Sequence, residues 1–332
     1  MSSSIEHPEL ANKKTLLDWL NRLGPLIALV LVYTLFAFIA GETFRSGYNM
    51  QLMARQTAVV GTAAIGMTLV IIAAGIDLSV GSIIAMVTIV VALTLRNEYP
   101  PFVAAIAGIL AGTACGVATG LIVTRFKVVP FIVTLGGLLI YRGMAKMLGD
   151  EQTVRVPDKT WINDLLSSTA NKSYSWILLP PGVWFTLVLA AVVAFVLYYT
   201  KLGRHIFAIG SNEETARLCG IAVERVKIYV YMICGACAGI AGLMQFSRLD
   251  VGDPTTAIGM ELDVIAAVVI GGGSLSGGEG SILGSIVGAL IMTIIKSGCT
   301  QMGLPTYWQE MITGVIIVVA VALDRYRHRR TA

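Results

Sequence analysis

Residues 56–95 read QTAVVGTAAIGMTLVIIAAGIDLSVGSIIAMVTIVVALTL and carry one charge, Asp77, inside G-I-D-L-S-V-G-S at 75–82. A helix needs about 20 apolar residues to cross a bilayer core of ~30 Å. The stretch is therefore long enough for two crossings, and it predicts a chain that enters lipid, turns near Asp77 and goes back. An ionisable group within such a run is costly, and marks either a pathway or a paired structural role.

The rest of the chain has the same character. Hydrophobic residues make up 56% of the 332 positions and charged residues 13%, with a mean hydropathy of +0.78. A soluble domain carries about 25% charge, so the fold class expected is an all-α, polytopic membrane protein. Ten apolar segments can be drawn, at 25–41, 56–74, 79–95, 102–124, 130–148, 181–200, 226–247, 262–275, 281–297 and 309–324. The fifth contains Arg142 and Lys146, and the eighth is short enough to be tilted, broken or re-entrant.

Charge position sets the expected topology. An even count with a basic amino terminus (Lys13, Lys14, Arg22) puts both ends in the cytoplasm. Arg125–Lys127, the 201–227 loop and the Arg325–Arg330 tail then lie inside, and the mixed-charge 149–180 segment lies outside. The resulting organisation is a cytoplasmic segment at 1–24, a membrane domain at 25–324 and a basic tail at 325–332. Residues 1–22 show no cleavable signal peptide.

Several function classes find no support. There is no Walker motif, H-E-x-x-H or G-x-S-x-G, so an enzyme is not expected, nor a catalytic residue. The Gly271–Gly280 run lacks the G-K-[ST] of a phosphate loop and reads as a turn between helices. Cys234 and Cys237 form a C-x-x-C with no second pair and no nearby histidine, which reads as two small residues on a packed helix; no metal site and no bound cofactor are expected. No basic patch interleaved with aromatics suggests nucleic acid.

Three stretches carry the candidate site. In the first, Gly75 and Gly81 permit a turn or a close approach, and Asp77 and Ser79 offer acceptors. Asp77 either caps the following helix through N–H groups near Val80 or contacts a solute, and both roles can coexist. The second lies within 201–227. Asn212 or Ser211 caps a short helix, Glu213 and Glu214 occupy its first turn, Ala216 and Arg217 follow, and Gly220 stops it. This is either a docking element for a cytoplasmic partner or an ordered surface loop. The third places Glu261 and Asp263 where an external loop enters the eighth segment, as a second polar constellation or a solvated rim. Glycines four apart at 108–120, 235–239 and 284–288 predict close helix contacts. VIIAAGIDLSVGSIIA at 70–85 also echoes VVIGGGSLSGGEGSILG at 268–284, as in transporters built from related halves.

Three motifs in order resemble one family. AIGMTLVIIAA followed by GIDLSVGS, KLGRHIFAIGSNEETARLCGIAVERVKIYVY at 201–231 and GMELDVIAAVVIGGGSLSGGEGSILGSIVGALI at 259–291 are similar to permease subunits of bacterial ATP-binding-cassette importers, ribose type, within the branched-chain amino acid/ribose permease family. The resemblance implies a multi-pass protein of the bacterial inner membrane that forms the path for a monosaccharide and dimerises with an identical or related permease. It implies a periplasmic binding protein as donor and a separate cassette ATPase, engaged near Asn212–Gly220, as the user of ATP. It also implies that Asp77 and Ser79 lie by the central path, with Glu261 and Asp263 on the opposite side of the bundle. Two alternatives stay open: an ion-coupled secondary transporter using Asp77, or a permease of the same family for an amino acid or nucleoside.

Overall fold

A computed structural model describes residues 8–167 and 179–331. Helix dominates it, and the one sheet among the described residues is a two-residue pairing. Such economy is what lipid demands, because helices satisfy their own backbone polar groups.

The helices run in chain order as α1 (Pro8–Ile39), α2 (Gly41–Phe44), α3 (Gly47–Ile72), α4 (Val80–Arg96), α5 (Pro101–Arg125), α6 (Pro130–Leu148) and α7 (Trp161–Asp164). They continue as α8 (Pro181–Tyr199), α9 (Lys201–Ser211), α10 (Glu213–Leu218), α11 (Val223–Leu249), α12 (Met260–Ile270), α13 (Ile282–Gln301) and α14 (Thr306–Thr331). Six of these, α3, α5, α6, α8, α11 and α13, are long and apolar enough to cross a membrane; α1, α4 and α14 contain shorter apolar stretches. This is an all-α membrane protein. Helix α1 starts at Pro8, ahead of the apolar segment drawn from residue 25, and the 201–227 segment holds α9 as well as the short capped helix α10.

Helix α3 is the central strut. Its apolar window is 89% buried, against 22% for α6 and 28% for α8. The outer helices instead expose Leu, Ile, Val and Phe side chains, such as Leu139 on α6 and Val188 on α8, as a lipid-facing surface requires. Helix α11 lies between α3 and α5. A methyl added at Gly112 would stand 2.5 Å from the Gly235 carbonyl oxygen, so the glycine stripes of α5 and α11 let the two backbones nearly touch. Dispersion and packing then hold the pair where lipid supplies little hydrophobic drive.

Opposite the α9–α10 end, strands β1 (Val154–Arg155) and β2 (Val251–Gly252) pair antiparallel, Val154 facing Gly252. Lys159 Nζ (2.9 Å) and Asn163 Nδ2 (2.8 Å) both donate to Asp250, which clasps the loop before α7 onto the end of α11.

Long α3 and α11 are antiparallel: Thr62 lies beside Met244, and Gly66 beside Cys234 and Cys237. Each is followed by a reversal and a shorter helix, α4 or α12, and those two helices meet at their first turns.

Candidate functional site

The break after α3 is built without a left-handed glycine. Gly75 N–H donates to the Val70 carbonyl at 2.8 Å, closing the helix, and the residue in the left-handed region is Ala74, at φ +58°. Gly75 serves a close approach instead, since a methyl there would stand 2.7 Å from the Tyr231 hydroxyl on α11.

Asp77 and Ser79 form one small unit. The carboxylate Oδ1 accepts from Ser79 N–H at 2.9 Å and from Ser79 Oγ–H at 2.6 Å, and both residues are fully buried. This corrects the capping expectation: Asp77 braces the turn before α4 and does not bond Val80. Ser79 is the N-cap of α4, but its hydroxyl is spent on Asp77. Oδ2 finds no hydrogen-bond partner by distance and angle among the described residues, and the Cys234 thiol lies near the carboxyl. Helix α6 pins the same turn, Thr134 Oγ1 donating to the Ile76 carbonyl at 3.2 Å.

Glu261 and Asp263 do not lie across the bundle from this unit. A methyl at Gly81 would run into Glu261 Oε2 and would sit 2.6 Å from the Ala257 carbonyl oxygen, so the first turns of α4 and α12 are packed face to face. Asp263 is ion-paired with Lys296 of α13. On the other side of α12, Arg142 Nη1 donates to the carbonyls of Pro254 (2.9 Å) and Thr256 (2.6 Å), tying α6 to the turn that delivers Glu261. Arg142 interrupts the fifth apolar segment and Lys296 the ninth. Lone charges in apolar runs were the signal that could have placed both in this cluster.

At the far end of α3 a second convergence occurs. Gly278 N–H donates to the Ile72 carbonyl at 2.9 Å, so the turn after α12 rests on the end of α3. Gly210, in the last turn of α9, packs against both, and a methyl there would stand 2.6 Å from Gly278 N.

The α10 segment folds as its residues dictate. Asn212 Oδ1 accepts from Thr215 N–H at 2.8 Å, Glu213 and Glu214 fill the first turn, and Gly220 takes φ +83° just past the end. Ala216 is buried, anchoring the helix inward. Lys227 Nζ reaches Glu213 at 2.6 Å, and Arg217 bridges Glu213 (3.4 Å) and Glu224. Leu218 is 89% exposed, an apolar knob beyond this charged frame. A cleft of about 590 Å³ opens between α10, the start of α11 and the Lys127–Pro130 turn. No group of three or more potential metal ligands occurs among the described residues.

Comparison with known proteins agrees with the motifs. The family model described as branched-chain amino acid transport system / permease component matches residues 49–321. The chain is 36% identical to the ribose import permease protein RbsC of Escherichia coli K12, over 92% of this chain and 94% of that protein. It is 35% identical to the fructose import permease protein FrcC of Rhizobium meliloti, over 95% and 90%. It is 32% identical to the L-arabinose ABC transporter permease protein AraH of Azospirillum brasilense, over 94% and 89%. No solved structure matches.

Proposed function

We propose that this chain, which belongs to the branched-chain amino acid transport system / permease component family, is the membrane-spanning permease of an ABC importer for a monosaccharide. The observation that carries the substrate class is near-full-length similarity to import permeases named for ribose, fructose and arabinose. In this reading the chain binds no nucleotide, a separate cassette ATPase supplies the work, and a periplasmic binding protein delivers the sugar. Both termini and α9–α10 lie in the cytoplasm, the β1–β2 clasp lies outside, and two permease copies enclose the path.

The residues divide by role. Residues 201–227 form the coupling region. Asn212, Glu213, Glu214, Ala216, Arg217 and Gly220 shape a rigid charged frame, and Leu218 is the apolar contact for the ATPase, since an isolated exposed leucine gains most when a partner covers it. Gly210 carries displacement of that frame to the ends of α3 and α12. Asp77, Ser79, Gly75 and Gly81 with Glu261 and Asp263 form the pivot beside the path. The complete burial of Asp77 and Ser79 supports a positioning role for them and argues against direct sugar contact.

Reconstitution tests the assignment. The chain in liposomes with a cassette ATPase and a binding protein should take up ribose or a related aldose only when ATP is supplied. Uptake by the chain alone, driven by a proton or sodium gradient, would overturn it.

A further inference from the structure

A recess of about 170 Å³, lined by Leu52 and Met53 together with a group of polar side chains, opens at the end of the bundle opposite α9–α10, between the first half of α3, the end of α13 and the start of α14. Asn49 on α3 and Ile72, where α9 touches, are separated by roughly 35 Å of helix at 1.5 Å per residue. In a chain that is 56% hydrophobic, this recess gathers side-chain amides from three helices: Gln56, Gln301 and Gln309. None belongs to the pivot or to the α10 frame.

The amides are only partly used within the protein. Asn49 is buried and already satisfied, its Nδ2 donating to the Phe44 carbonyl at 2.8 Å and its Oδ1 accepting from Ser297 (3.0 Å) and Gln301 (3.3 Å). Gln309 Nε2 donates to Thr300 Oγ1 at 3.2 Å and to the Leu304 carbonyl at 3.4 Å. These bonds fix the orientation of the glutamines while leaving the Oε1 atoms of Gln301 and Gln309 without a donor, and Gln56 makes no side-chain hydrogen bond among the described residues. The cationic wall, Lys296, is ion-paired with Asp263. The recess therefore offers neutral donors and acceptors, held in place, with its charge already balanced.

That lining selects a class of ligand. A planar amide presents one acceptor and two donors, which matches adjacent hydroxyl groups. An amino acid would bring a carboxylate and an ammonium, and the recess has no uncommitted charge to meet either. Its volume is that of about five or six waters at ~30 Å³ each and falls below the ~300 Å³ of drug-sized pockets, so the ligand is small. We propose that this recess is a subsite for a neutral polyhydroxylated solute on the side from which the sugar arrives. The proposal rests on the importer reading and adds to it a place of first contact that discriminates polyol from amino acid.

The test uses the full chain in nanodiscs. With Cys219→Ser removing the exposed native thiol, Leu52→Cys, at a lining position whose side chain makes no hydrogen bond, places a label in the recess wall. Ribose and related aldoses at millimolar concentration should slow maleimide labelling, and leucine and glycine should not. Gln301→Leu and Gln309→Leu should each raise the half-protecting sugar concentration by about tenfold, the loss expected for one or two hydrogen bonds. Equal protection by leucine, no protection by any aldose, or unchanged protection in both glutamine variants would overturn the subsite. The sugar-versus-leucine comparison needs no glutamine variant, so a folding defect there does not leave the matter open. ATP-driven uptake of an aldose by the complete complex, measured in parallel, separates the two conclusions: uptake without protection removes only the subsite, and no uptake of any monosaccharide removes the importer reading.

Discussion

Asp77 shows how a single residue can be misjudged from its surroundings. A carboxylate in an apolar run suggests a ligand for something passing by. Here it holds the N–H and hydroxyl of Ser79 and is fully buried, so its first role is to fix the entry into α4. Asp77→Asn keeps an acceptor oxygen and should change stability little, whereas Asp77→Ala should cost about 1–3 kcal/mol by orphaning both donors. Unfolding midpoints of the purified variants decide this. Gly81→Ala should cost a similar ~1–3 kcal/mol through overpacking. Trimming Glu261 to Ala should rescue only part of it, because the Ala257 carbonyl is backbone and cannot move away alone. At the β1–β2 clasp, burial raises the pKa of Asp250, but the bonds from Lys159 and Asn163 and the charges of Lys159 and Arg55 outweigh it and hold the carboxyl below its ordinary value. A depressed carboxylate contributes stability above its unfolded pKa of about 3.9 and loses it as pH falls through the folded value. The protection of amides 250–252, taken relative to their intrinsic exchange rates, should therefore be constant from neutral pH down to about pH 5 and fall below about pH 4. Asp250→Asn should abolish that acid step.

Among the elements, α9 and α10 carry the proposed coupling role. Helix α10 has six residues and would not persist alone. Its cap, its ion pairs to α11 and buried Ala216 make it rigid. Leu218→Asp should weaken association with the ATPase while leaving the chain inserted and folded, as read by co-purification. Replacing Glu213 or Gly220 should uncouple ATP hydrolysis from uptake. Gly210→Ala tests transmission. A side chain there collides with the Ile72 carbonyl and Gly278, so ATPase binding should survive while transport falls steeply. Normal transport by this variant would show that the α9 contact transmits nothing. The turn after α12 and the turn after α3 move together in this scheme because one hydrogen bond, Gly278 to Ile72, already joins them.

At the scale of the whole molecule, the architecture is an outer shell of exposed apolar helices around a largely buried α3, with α11 packed along it and two shorter helices, α4 and α12, meeting inside. Most of that shell was legible in the sequence. Run length and charge bias identify membrane helices because lipid admits almost no other backbone, and glycines four apart announce close helix contacts, of which α5–α11 is one in the structure. The cap at Asn212 and the stop at Gly220 were equally readable, since both depend on neighbours in the chain. What the sequence could not reveal were relations between distant residues. Glu261 against Gly81, Lys296 against Asp263, Arg142 on the Pro254 and Thr256 carbonyls, and the three glutamines around one recess join positions tens to hundreds of residues apart. Local patterning by itself determined solvent, helix class and the capped α10 segment, because those follow from the period and polarity of contiguous residues. Only the tertiary structure decided that Asp77 is a brace and that the two acidic stretches share one pivot, because those facts depend on which helix faces which.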